Sequence, residues 1–136
     1  MSSHPKQIAL EAVMRKMCDE LDDHLEDLFG DHYPRHPNRP ARGKAASVAY
    51  DGLFSTGTQF TLGYGSELGR GYILSVELRT LSQVRQEDEL AVEKAAAEKI
   101  EQLIPKYFPE RAIRLEKDGK VYKLVGDFSL GASSNE

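Results

Sequence analysis

All four histidines, His4, His24, His32 and His36, fall within the first 36 residues, beside a run of carboxylates that includes Asp19, Glu20, Asp22, Asp23, Glu26 and Asp27. Imidazole and carboxylate groups held together can bind a divalent metal or move protons as an acid/base pair. Glu20 and Asp27 lie four and three residues from His24, so on a helix the three share one face. A hydrolase or lyase using His24 with Glu20 or Asp27 is therefore one expectation. A metal centre is not expected. A carboxylate-bridged site between helices needs a Glu-x-x-His motif on facing helices, no His-Glu-x-x-His is present, and Pro34 and Pro37 break any helical His32/His36 pair.

Other chemistries find less purchase. Gly63-Tyr64-Gly65-Ser66-Glu67 departs from a nucleophile elbow because the glycine required two residues before the serine is Tyr64. Cys18, the single cysteine, sits close to the apolar side of a helix, where a small buried side chain is expected rather than a thiolate. Gly43-Lys44 is followed by Ala45, not the Ser or Thr of a phosphate-binding loop. The glycine-rich stretch Gly65 to Arg70 leads into a strand rather than a helix, unlike a dinucleotide fingerprint. Arg70-Gly71-Tyr72 opens like an RNA-binding strand motif, but Ile73, Leu74 and Ser75 break the pattern.

One segment, residues 32–45, concentrates positive charge. Arg35, Arg39, Arg42 and Lys44 occur among three prolines with no acid between Pro34 and Tyr50, and His36 adds a charge when protonated. Arg35, His36, Arg39, Arg42 and Lys44, joined by Arg70, form the candidate anion-binding set, arginine being suited to bidentate contacts with phosphate or carboxylate. The competing expectation is that the loop folds back on the acidic stretch Glu11 to Asp31, which carries eight acids and two bases.

With 136 residues, 40% hydrophobic and 29% charged, the chain has the size of one domain, residues 1–136. A net charge of -4 disfavours a surface that coats nucleic acid or anionic membrane. The longest uncharged run, Gly52 to Ser66, contains Ser, Thr, Gln and Gly and is not a membrane span. No leader-like apolar segment opens the chain, and one cysteine allows no intrachain disulfide, so a cytoplasmic location is expected.

The elements that must position these residues follow from periodicity. Leu10, Met14, Met17, Leu21, Leu25 and Leu28 mark a helix over Pro5–Phe29, with the acids mostly off that stripe, and Gly30 ends it. Strands are expected at Ser47–Tyr50, Thr58–Tyr64 and Gly71–Thr80, the last with Tyr72, Leu74, Val76 and Leu78 facing the core. A second helix is expected over Arg85–Ile104, stopped by Pro105 and Pro109. Ile113–Lys117 and Lys120–Leu124 form a hairpin about Asp118-Gly119, with Leu115 opposite Tyr122 and Ile113 opposite Leu124. Ser129 to Glu136 is expected to fray.

The fold expected is α+β, with a mostly antiparallel sheet of four to five strands packed by two helices in the order α-β-β-(β)-α-β-β. The leading functional expectation is a non-catalytic interaction or assembly module, self-associating or binding another protein, with no cofactor. The alternative is anion, nucleotide or nucleic-acid binding through the basic loop.

Overall fold

The computed structural model describes residues 5–47 and 50–128. Among these the order is α1 (Pro5–Phe29), β1 (Phe54–Thr61), β2 (Gly71–Leu78), α2 (Gln86–Tyr107), β3 (Ile113–Asp118) and β4 (Val121–Gly126). The strands form one antiparallel sheet in the order β1-β2-β4-β3, leaving β1 and β3 at its edges. The α+β expectation holds, with four strands. Residues within the expected strand Ser47–Tyr50, and the expected frayed tail at 129–136, lie outside the described residues.

Apolar side chains at three- and four-residue spacing turn Leu10, Met14, Met17, Cys18, Leu21 and Leu25 of α1 onto the sheet, all buried. Leu28, expected on that stripe, is about half exposed because the helix reaches the rim of the sheet there. Val92, Ala96, Ile100 and Leu103 bury α2 against the same core. The core face of the sheet supplies Phe54, Tyr72, Leu74, Ile113 and Leu124. Among the described residues no helix is long and apolar enough to cross a membrane.

Three boundaries differ from expectation. The second helix continues through Pro105 to Tyr107, because Lys106 Nζ and Tyr107 Oη both bond Glu20 on α1 at 2.7 Å and Phe108 N–H closes on the Ile104 carbonyl at 2.8 Å. The strand expected at Thr58–Tyr64 instead begins at Phe54 and ends at Thr61. Gly63, at φ +78, turns the chain so tightly that a Cβ there would stand 2.0 Å from the Gly69 carbonyl oxygen, and Leu62 and Tyr64 leave the sheet. In the β3–β4 hairpin Asp118 pairs with Val121, so Leu115 faces Leu124 and Lys117 faces Tyr122. Gly119, at φ +65, takes the first of the two loop positions, the place where a type II′ turn requires glycine.

Candidate functional site

The basic loop, residues 32–45, is bound to its own chain. Arg39 is the anchor: its guanidinium donates to the carbonyls of Asp51 at 2.7 Å, Phe54 at 3.0 Å and Gly52 at 3.2 Å. Arg42 lies against α1, donating to Asp27 at 2.7 Å and Asp23 at 3.3 Å. Arg35 Nε donates to the Arg39 carbonyl at 2.8 Å, and the His36 main chain donates to the Arg79 carbonyl at 2.7 Å. His36 Nδ1 accepts from the Asn38 N–H. Buried Asp51 gathers the far end, its carboxylate accepting from the N–H groups of Gly43 and Ala45.

Lys44 and Arg70 project into solvent. Arg70 does not join the others. It precedes β2 whereas Arg79, beside the loop, follows it, and an eight-residue strand separates the two by roughly 25–30 Å.

These geometries give Arg39 and Arg42 different weights. Arg39→Lys keeps the charge but loses the fork that spans three carbonyls, and is expected to lower stability by about 1.5–3 kcal/mol. Arg42→Lys, a half-exposed surface pair, should cost about 0–1 kcal/mol. Urea denaturation of both variants checks this; equal effects would mean that charge, not geometry, is what Arg39 contributes.

The His24 set is likewise divided. Glu20 is held by Lys106 and Tyr107, which keep its carboxyl below the usual range, while Asp27 is held by Arg42. His24, partly buried, is driven to a lower pKa by burial and then by Lys99. Neither carboxylate is bonded to it, so the acid/base pair is not formed. Among the described residues no group of three histidine, cysteine or acidic side chains is placed to hold a metal.

Two polar clusters escape the periodicity. On the outer face of the sheet, buried Lys123 donates from Nζ to Asp118 at 2.8 Å, the Gly69 carbonyl at 2.8 Å and Ser66 Oγ at 3.2 Å, while Ser66 bonds Asp118 at 2.6 Å. Lys123 has its three donor positions engaged by Ser66, Gly69 and Asp118. It ties the β1–β2 loop down. Alternation along β4 makes Lys123 read as solvent-facing, and only the loop folded over it removes it from water.

The second cluster joins α1 to β1. Arg15 bonds Asp19 at 3.0 Å, Asp22 at 3.4 Å and the Thr56 carbonyl at 2.9 Å, while Thr56 Oγ1 donates to the Cys18 carbonyl at 3.0 Å. Asp22 is buried, and its Oδ1 has no hydrogen-bond partner among the described residues. Burial raises its pKa from 3.8 to about 7. It follows Leu21 and lies four residues beyond Cys18, a position on the buried stripe that was the available signal. Burial also pushes the Cys18 thiol up to about 11, which rules it out as a thiolate nucleophile at neutral pH. Beside this cluster an open groove of about 370 Å³ runs between α1 and β1, lined by Glu11, Arg15, Thr58, Phe60 and Tyr72 among others.

Comparison with known proteins places the chain. A protein from Borreliella burgdorferi, described as uncharacterized, is 43% identical over 118 residues, covering 87% of this chain and 92% of that relative. No solved structure matches. A family model described as uncharacterised protein matches residues 5–126, all four strands and both helices, and the chain belongs to that family.

Proposed function

We propose that the protein is a docking module that works through the β1 edge of its sheet. The observation that carries this reading is the contrast between the two edges. Six-residue β3 bears Arg114, Glu116, Lys117 and Asp118, the charged guard that keeps an edge strand from pairing. Along β1 and onward to Ser66 there is no charge at all, and Phe60, Leu62 and Tyr64 are 42%, 55% and 90% exposed. An uncharged edge flanked by large apolar side chains is the setting in which an extended segment adds to a sheet. The basic loop is the weaker choice of docking surface, because Arg39 and Arg42 already serve the fold.

A photo-crosslinking residue placed at Leu62, and in a second protein at Lys117, tests this in the cells that make the protein. Adducts should form from position 62 and be scarce from position 117. Equal yields, or none from position 62, would remove the reading.

A further inference from the structure

We infer that the occupant of the β1 edge is a second copy of this chain, paired antiparallel about a two-fold axis at Gln59; this rests on the docking reading above. Four features of the edge lead to it.

The first is which main-chain groups are open. Ser75 on β2 reaches the Gly57 carbonyl at 3.4 Å, so Gly57 turns toward β2. The neighbouring Thr56 carbonyl turns the other way and is taken by Arg15. By alternation the next outward N–H and C=O pairs belong to Thr58 and Phe60. A two-fold axis at Gln59 sets Thr58 of each copy against Phe60 of the other. Those two residues can then exchange four hydrogen bonds while Arg15 keeps the Thr56 carbonyl.

The second is charge. α1 lies alongside β1 in the opposite direction: the Cys18 carbonyl meets Thr56, Met14 meets Thr58, and Glu11 bonds the hydroxyl of Tyr72, the partner of Phe60. Arg15 is thus level with Thr56 and Glu11 with Phe60. The two-fold axis turns each Arg15 toward the other copy's Glu11, offset by two strand residues, about 7 Å and within reach of two long side chains. Each copy carries a net charge of -4, and although Arg15 also meets Asp19 and Asp22 of its own helix, this face sets a cation of one copy beside an acid of the other.

The third is apolar cover. Ile8, one turn before Glu11 on the same stripe of α1, is 56% exposed and comes level with the end of β1, where Phe60 and Leu62 are also exposed. Pairing at Gln59 brings these side chains from both copies to one seam. The fourth is self-compatibility: a two-fold axis sets Gln59 against itself, and a neutral amide tolerates its own image where a charged side chain would not.

Sedimentation of the full chain over a concentration series, with a Gln59→Cys protein oxidised in parallel, tests the inference. Residues facing each other across a non-hydrogen-bonded antiparallel pair stand about 4.5 Å apart at Cα, within disulfide range. The expected result is a reversible dimer, an interchain disulfide in Q59C but not in an Arg114→Cys control on β3, and loss of the dimer in Phe60→Lys. Glu11→Arg should weaken association severalfold, and since Glu11 is on the surface of α1 its melting temperature serves to check folding. A monomer at every concentration with no Q59C crosslink overturns the inference. If position 62 nonetheless crosslinks to a different chain, the docking surface stands and the second copy is the wrong occupant; if it crosslinks to nothing, both fall.

Discussion

Glu26→Ala is expected to lower the unfolding free energy by about 2–6 kcal/mol, a large share of the roughly 5–15 kcal/mol that holds a domain of this kind together. Glu26 stands in the last turn of α1, and its Oε2 accepts from the N–H groups of Leu53 at 2.5 Å and Phe54 at 2.8 Å. Both residues are fully buried, and they lead the chain from the basic loop into β1. Truncation leaves two main-chain donors without acceptor or water, each at roughly 1–3 kcal/mol. Glu26→Gln retains an oxygen acceptor without the charge and should lose less. Asp27→Ala, one residue along and mostly exposed, should lose about 0–1 kcal/mol. Urea denaturation orders the three. An E26A protein within 0.5 kcal/mol of the parent would mean that another acceptor takes these donors, and that the carboxylate is not what fixes the start of β1.

That contact shows where sequence reasoning stops. The helical stripe of α1 is legible because burial repeats with the helix, and the acids fall mostly between its apolar members. Nothing in the stripe distinguishes Glu26, which caps a strand start 28 residues onward, from Asp27, which meets an arginine at the surface. The same holds for the basic loop. Four positive charges without an acid can be read directly, but whether a guanidinium grips a ligand or three carbonyls of its own chain depends on where a distant segment lies. Arg39 does the latter, through Asp51, Gly52 and Phe54.

Side-chain faces were more legible than ends or registers. The β3–β4 pairing differs from the Asp-Gly expectation by two residues, and a slip of two leaves every side chain on its original face, so Ile113, Leu115, Tyr122 and Leu124 still share one side. Pro105 failed as a helix stop because tertiary bonds from Lys106 and Tyr107 to Glu20 outweigh one missing helical donor. The uncharged edge was only half visible. The uncharged run Gly52 to Ser66 could be read, but its place at an edge, and the charged guard on the opposite edge, depend on the strand order β1-β2-β4-β3.

Asp22 carries the other large expected effect, on stability as a function of pH. Burial is the main cause of its raised pKa, from 3.8 to about 7, against opposing pulls from the Thr56 hydroxyl and Arg15. Because the folded value lies above the unfolded one, the folded protein holds this proton where the unfolded chain has released it. The stabilisation is complete below about pH 4 and is lost as pH rises through 7. The displacement corresponds to roughly 4 kcal/mol as an upper bound. Asp22→Asn keeps the shape and cannot ionise, so its stability should exceed the parent's at pH 8 and converge with it toward pH 4. Taking the difference between the two proteins cancels His24, whose lowered pKa acts in the opposite direction, losing stability as pH falls through 6.5. Denaturant midpoints from pH 4 to pH 8 decide it. Parallel profiles would mean that water reaches the Oδ1 atom and that the carboxylate is ionised in the folded protein throughout this range. A gap that widens from about pH 4 and levels off above pH 7 would identify Asp22 as a buried acid that shares the α1–β1 junction with Arg15, the side chain that holds the Thr56 carbonyl at the sheet edge.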